Sequence, residues 1–216
     1  MISGRRPRVL LADDHRLVAE GIRGLLESEF EVVDVVEDGR ALLERAQALK
    51  PDVIVADIAM PHLNGIDALA RLKQLDDRVR VVFLTMHRDV AYARRALDAG
   101  ALGYVLKHAA PNELTTAVRA ALEGKTYLTP TLAGEVLRDL KSHPEQAGDP
   151  VASLTPRQRE ILQLLAEGCS AKQVAATLGI SARTVEFHKY QMMDRLELHF
   201  SAELVGFAIR HGIVSI

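Results

Sequence analysis

Apolar residues over the first 124 positions fall in short unbroken runs separated by stretches of helical periodicity. The runs Arg8-Val9-Leu10-Leu11-Ala12, Val53-Ile54-Val55-Ala56, Val81-Val82-Phe83-Leu84 and Tyr104-Val105-Leu106 lack the polar alternation of a half-exposed strand. Continuous β-branched and aliphatic runs of this kind read as strands buried on both faces of a parallel sheet. Strands are predicted over 8–13, 31–36, 52–57, 79–85 and 103–106, with helices over roughly 15–28, 39–49, 64–75, 88–99 and 111–124. In the third helix Ile66, Leu69, Ala70 and Leu72 recur at helical spacing, and Asn64-Gly65 breaks the chain just before it. Gly100 and Gly124 close the fourth and fifth helices in C-cap fashion. Regular alternation with right-handed crossovers predicts an α/β fold with a five-stranded, parallel, doubly wound sheet of the flavodoxin-like kind.

The texture changes after Lys125. Thr129-Pro130-Thr131 predicts the start of a linker helix running to about Lys141. The segment from Ser142 to Pro150 is polar and rich in breakers, which predicts a flexible tether. From Ser153 onward only helices are predicted. Thr155-Pro156 supplies an N-cap with proline at the first helical position, and Ile161, Leu162, Leu164 and Leu165 form one face. Gly168 stops that helix, Ser170 caps a second that buries Val174, Ala175 and Leu178, and Ser181 caps a third reaching about Leu196. Ser201 opens a fourth that ends near His211-Gly212. The predicted division is 1–127, an α/β domain; 128–152, linker helix and tether; and 153–216, a separate all-α four-helix domain.

Composition narrows the classes. Apolar residues make up 48% and charged residues 26%, the balance of a soluble protein with a real core. No apolar stretch approaches the roughly 18 residues a membrane span needs, and the basic start is followed by too short an apolar run for a signal peptide. A single cysteine, Cys169, excludes an intrachain disulfide. These features predict a cytoplasmic protein with no membrane partner. Residues 1–127 carry 18 Lys/Arg against 19 Asp/Glu, 128–152 carry 2 against 4, and 153–216 carry 7 against 6. No segment is a polycation, so nucleic-acid binding must come from local placement of charge.

The strand runs end on chemistry. Asp13 and Asp14 follow the first, Asp57 the third, Thr85 the fourth and Lys107 the fifth. In an open parallel sheet the crevice beyond the carboxyl ends of the strands is where ligands bind. Carboxylates gathered within about 4 Å repel by roughly 4 kcal/mol per pair at an effective dielectric near 20, so a cation must neutralise them. Oxygen ligands few in number suit Mg²⁺. An aspartate there can attack a phosphoryl donor and form an acyl phosphate, with Lys107 offsetting charge and Thr85 donating a hydrogen bond. His15, His62, His87 and His108 read as exposed loop residues.

Ala12-Asp13-Asp14-His15, Asp57-Ile58-Ala59-Met60-Pro61-His62-Leu63-Asn64-Gly65, Leu84-Thr85 and Tyr104-Val105-Leu106-Lys107 resemble the receiver domain of two-component response regulators, over residues 8–124. The resemblance implies that Asp57 accepts a phosphoryl group from a sensor histidine kinase. It implies that Asp14, Asp57 and the carbonyl of Ala59 hold Mg²⁺ directly and that Asp13 acts through water. It also implies that Thr85 and Tyr104 reorient on phosphorylation. One departure is that His108 follows Lys107, where many receivers have proline after a cis peptide.

From Ala171 to Leu196 the order helix, glycine turn, helix has helix-turn-helix spacing. With Val185 facing the core, Met192 and Leu196 return to it, while Arg183, Phe187, Tyr190 and Asp194 point away and Glu186 lies at the flank. An outer face carrying Arg, Phe and Tyr fits a helix that meets base edges and sugars; a four-helix module for protein partners is the alternative. Leu154-Thr155-Pro156-Arg157-Gln158-Arg159-Glu160, Gly168-Cys169-Ser170, Val174-Ala175, Thr184-Val185-Glu186-Phe187-His188 and Glu203-Leu204-Val205 resemble the LuxR-type output domain. Together the two resemblances make the chain similar to the NarL/FixJ subfamily of transcriptional regulators. They imply that Glu186, Phe187 and Tyr190 read the major groove of double-stranded DNA and that Lys172, Ser181, Arg183, Thr184 and Lys189 hold phosphates. Glu186 and Tyr190 stand where relatives are often basic, and Asp194 adds a further acid.

So few cations predict weak monomer binding at physiological salt. Two subunits on half-sites about one helical turn apart would roughly double the binding free energy, so the expectation is a homodimer on phosphorylation, with no enzymatic turnover of its own. A stand-alone phosphatase or nucleotide-using α/β enzyme is the rival from another class. It lacks its defining feature, because Asp13-Asp14-His15-Arg16 offers no glycine-rich phosphate loop. A protein-interaction adaptor without DNA binding is the second rival.

Overall fold

A computed structural model describes residues 5–86, 88–142 and 150–214. His87 and most of the predicted tether, 143–149, lie outside the described residues. The chain divides into two compact units, Met1–Met60 with Gly65–Glu145, and Gln146–Ile216 with Pro61–Asn64.

In the first unit the strands are β1 (Arg8–Ala12), β2 (Glu31–Val36), β3 (Val53–Ala56), β4 (Val81–Thr85), β5 (Gly103–Leu106) and β6 (Tyr127–Leu128). They form one parallel sheet in the order β2-β1-β3-β4-β5-β6. The helices are α1 (Arg16–Leu26), α2 (Gly39–Leu49), α3 (Gly65–Leu75), α4 (Val90–Asp98), α5 (Ala110–Leu122) and α6 (Pro130–Ser142). Side chains alternate across the sheet. Val9, Leu11, Val53, Val55, Val82, Leu84 and Val105 therefore share one face, where they pack with Ala19 and Ile22 of α1 and Leu114, Ala117 and Val118 of α5. Residues of both parities are buried on β1, β3, β4 and β5, which is why those strands carry no polar alternation. Strand order reverses between β1 and β3, so the crevice at that switch point lies where the chain leaves both strands.

Five strands were expected, and six are present among the described residues. Tyr127–Leu128 is too short for its own periodicity, yet it pairs with Gly103 and Tyr104 and covers what would otherwise be the open edge of β5. Strands β1 and β3 end one residue before Asp13 and Asp57, because the side chains there turn into the crevice. Their backbones stay tied to neighbouring strands, Asp13 N–H donating to Val36 O at 3.0 Å and Asp57 N–H to Ala12 O at 2.8 Å. A short 3₁₀ turn, Lys107–Ala109, leads from β5 into α5, and the described residues contain no cis peptide.

The second unit contains α7 (Pro156–Ala166), α8 (Ala171–Leu178), α9 (Ala182–Arg195) and α10 (Ser201–Arg210). Capping starts three of them where the sequence places it. Thr155 accepts from Gln158 N–H, Ser170 from Gln173 N–H and Ser181 from Thr184 N–H, and the first two close reciprocal capping boxes. Gly179 ends α8 at φ +65°, a left-handed conformation that lets the chain reverse into α9 within two residues. Ile161, Leu162, Leu164, Val174, Val185, Met192, Leu204 and Phe207 form the core. Arg157 bridges this unit by donating to Leu178 O at 2.8 Å and pairing with buried Glu160 at 3.1 Å.

Gly65 is the glycine whose missing side chain the site needs. A Cβ there would collide with the carbonyl oxygen of Asp57 and press on the Phe83 ring. Gly65→Ala is therefore expected to destabilise the first unit by about 1–3 kcal/mol, as overpacking against backbone does. Equilibrium urea unfolding of the variant beside the parent chain measures it.

Candidate functional site

The acidic crevice is assembled from the ends of three strands. Asp57 follows β3 and is 5% exposed; Asp13 follows β1 and is 1% exposed. Lys107 follows β5, and its Nζ sits 2.6 Å from Asp57 Oδ2 and 2.7 Å from Asp13 Oδ2. Backbone donors complete the cradle: Asp57 Oδ1 accepts from Ile58 N–H at 2.6 Å and Ala59 N–H at 3.3 Å, and Asp13 Oδ1 accepts from His15 N–H at 2.9 Å. Asp14 lies half-buried beside them, and His15 Nδ1 reaches its Oδ1 at 2.9 Å. Thr85 ends β4, fully buried, in register with Leu106, and Tyr104 is equally buried in register with Phe83.

Two buried carboxylates share one ammonium, so one negative charge is left over even before Asp14 is counted. Burial raises the pKa of Asp57 against the opposing pull of Lys107, and the Asp13 charge adds to the rise. For Lys107, burial works against the cation, but the two carboxylates outweigh it and the net shift is upward. The Tyr104 phenol is pushed well up, first by its burial and then by neighbouring charge. Asp13, Asp14, His15 and Asp57 each offer a ligand atom, and these atoms lie within 4.8 Å of one another. Residual negative charge on closely set carboxylate oxygens is what a hard divalent cation such as Mg²⁺ requires, so the residues present fit that ion.

The sequence-level candidates Asp13, Asp14, Asp57 and Lys107 are brought together, with the Ala59 peptide at their edge. The contact of His15 with Asp14 was not foreseen. The ring is 61% exposed, as a loop residue should be, yet adjacency in the chain delivers it to the cluster.

On the second unit, α8 and α9 present the other set. Phe187 and Tyr190 are 59% and 62% exposed. The two rings stand three positions apart on α9 and so form one exposed apolar patch rather than scattered single residues. Lys172 and Arg183 are exposed. Lys189 is drawn along the helix, its Nζ 2.9 Å from Glu186 and 5.2 Å over the Tyr190 ring. Ser181 and Thr184 share a hydroxyl–hydroxyl contact of 2.8 Å at the start of α9, where the helix dipole favours an anion.

Residues 9–119 match the response regulator receiver domain, and residues 152–208 match the luxR family of bacterial regulatory proteins. The chain is 32% identical to the response regulator UvrY of Escherichia coli K12, over 95% of this chain and 94% of that protein. It is 36% identical to the transcriptional regulatory protein MctR of Rhizobium johnstonii, over 96% and 95% respectively. Among solved structures it is similar to RcsB from Salmonella enterica serovar Typhimurium bound to a promoter in the presence of the phosphomimetic BeF3⁻. That match has 28% identity and a TM-score of 0.65, covering 95% of this chain and all of that one.

The charge imbalance in the crevice has a measurable sign. A carboxyl whose folded pKa is raised holds its proton more tightly in the folded state, so its ionisation costs stability above that pKa and nothing below the unfolded value. Without divalent metal, Asp57→Asn is expected to melt at a higher temperature than the parent chain near neutral pH. The gap should close as pH falls through the raised pKa. Millimolar Mg²⁺ should narrow it at neutral pH, because the variant lacks one of the ion's carboxylate ligands and gains less from it. Thermal melts across pH, with and without Mg²⁺, read all three effects.

Proposed function

The chain belongs to the response regulators that join a receiver domain to a LuxR-type DNA-binding domain, and from that premise we propose that phosphorylation of Asp57 by a sensor histidine kinase controls its affinity for double-stranded DNA. The observation that carries this reading is the Lys107 ammonium held between buried Asp13 and Asp57 at adjoining strand ends.

In the proposed transfer a carboxylate oxygen of Asp57 attacks the phosphorus of a phosphohistidine. The P–O bond forms as the P–N bond breaks, and the imidazole leaves with its electron pair and takes up a proton from solvent. Asp13, Asp14, Asp57 and the carbonyl of Ala59 would hold Mg²⁺, which when bound supplies charge neutralisation at the phosphoryl oxygens. Lys107 meets a second phosphoryl oxygen with its ammonium, and the Thr85 hydroxyl donates to a third. Asp57 keeps the orientation set by the Ile58 and Ala59 amides. Tyr104, on β5 two residues before the register partner of Thr85, would move with it and pass the change to the receiver surface.

Residues 1–127 serve as receiver, 128–152 as linker and 153–216 as the output domain in this scheme, with α8 and α9 as a helix-turn-helix within four helices. Glu186, Phe187 and Tyr190 face base edges. Glu186 accepts from cytosine N4, and the rings contact thymine methyls and sugars. Lys172, Ser181, Arg183, Thr184 and Lys189 hold phosphates. The small net charge of residues 153–216, 7 Lys/Arg against 6 Asp/Glu, supports a dimer as the binding species in the cytoplasm. Phosphorylation then acts by pairing subunits.

Asp57→Asn is expected to abolish labelling by a phosphodonor such as acetyl phosphate and to remove any gain in DNA affinity on phosphorylation; undiminished labelling overturns the assignment. At the DNA surface, Arg183→Ala should weaken binding to all sequences and lower the slope of log affinity against log salt by about 1 per subunit. Glu186→Ala should instead relax discrimination at one base position by about 1–3 kcal/mol. Binding titrations against salt and against single-base operator variants separate the two.

A further inference from the structure

A polar cluster outside the phosphoryl crevice joins β5 to the start of α6. In the β5–β6 ladder Tyr127 N–H donates to Leu102 O and Thr129 N–H to Tyr104 O. The next step would place Leu106 N–H against the carbonyl of Thr129. That carbonyl has turned away to accept from Leu132 and Ala133 N–H as α6 begins. The Thr129 hydroxyl takes its place, accepting from Leu106 N–H at 3.2 Å and donating to Glu113 Oε2 at 2.8 Å. Thr129 is 2% exposed, so the substitution fills a site water does not reach. Glu113 lies in the first turn of α5, so its carboxylate ties the crossing from β6 to α6 to the helix that follows β5. Helix α6 is seated on the same unit by buried Leu132 and Val136, and Arg88, which precedes α4, approaches Glu135 at 3.9 Å.

The residue served by this hydroxyl is the one before Lys107. Any shift of the end of β5 that accompanies a change at Asp57 must either carry Thr129 with it or strand a buried N–H, which is costly. We propose that Thr129 and Glu113 are positioning residues of the phosphorylation switch, a clamp that makes the linker helix α6 follow the strand end carrying Lys107. The inference rests on the phospho-Asp57 reading and adds the route by which the linker reports it. The hydroxyl, not the bulk of the side chain, is the working part, since valine would fill the same space and leave Leu106 N–H without an acceptor.

The test uses the full chain, acetyl phosphate with Mg²⁺, and a DNA duplex selected from a random pool by the phosphorylated parent protein. Two quantities are read for each variant: the extent of Asp57 labelling, and the ratio of DNA affinity with phosphorylation to that without. Thr129→Val and Glu113→Ala should label to within about twofold of the parent while the ratio falls by about fivefold or more, the scale of a lost coupling. Thr129→Ser, which keeps the hydroxyl, should restore the parent ratio. A merely structural role would lower both affinities together and leave the ratio alone. A well-labelled Thr129→Val or Glu113→Ala with the parent ratio overturns the clamp. Should Thr129→Val fail to label because it does not fold, the half-buried position of Glu113 makes Glu113→Ala the deciding variant. A parent protein with no phosphorylation-dependent ratio would instead overturn the proposed function, and the two failures are distinct.

Discussion

The Lys107 ammonium, lodged between two buried carboxylates, is the contact on which the receiver half of this molecule depends. At 2.6 and 2.7 Å it ties the ends of β1, β3 and β5 together at one point. Single charges buried without partners are untenable, and a pair of like charges is worse. One ammonium between two carboxylates leaves the site under-neutralised by design of its own arithmetic, and that residue of negative charge is available to attract a divalent cation. The same deficit makes a transferred phosphoryl group disruptive. A group of that charge, placed on Asp57, redraws the claim that each neighbour has on Lys107.

In the proposed switch, geometry would convert that local electrostatic change into something the rest of the domain registers. Lys107 directly follows β5, and β5 is flanked by Thr85 on β4 and by the two-residue β6. Tyr104 and Leu106 hand their outward backbone groups to Thr129, one through its amide and one through its hydroxyl. Packed strands move as units because interiors are close-packed and deform in discrete steps. The end of β5 is therefore shared by the crevice, through Lys107, and by the start of α6, through Thr129, the placement from which the clamp is proposed.

The output half obeys a different economy. Its helices are fixed by caps at Thr155, Ser170 and Ser181 and by the Arg157–Glu160 pair beneath α8, while α9 also presents a side to solvent. That side carries Phe187 and Tyr190 exposed and a lysine already engaged by Glu186. Under the proposed control by subunit pairing, weak intrinsic attraction to phosphate would be an advantage, because tight monomer binding would erase the difference phosphorylation makes.

Much of this was legible in the chain. Unbroken apolar runs told of a parallel sheet covered on both faces, and the residue types directly after them told of a phosphoryl crevice, since the side chain that leaves a buried strand must emerge at its carboxyl end. Helix starts at Ser170 and Ser181 were equally plain, because capping is a local bargain between a hydroxyl and the next turn. The sixth strand was not legible: two residues have no periodicity, and Tyr127–Leu128 becomes a strand only because β5 presents an unpaired edge. Nor was the duty of Thr129, whose sequence context announces a helix start while its hydroxyl serves a strand 23 residues earlier. The approach of His15 to Asp14 and the capture of Lys189 by Glu186 likewise depend on side-chain directions that spacing does not specify. The sequence by itself determined the longer helices and the buried strands, and the chemistry at their ends, because periodicity, caps and residue type act within a few positions along the chain. Only the tertiary structure decided which distant polar groups share a proton or a charge, because those partnerships arise when burial leaves each group no other neighbour.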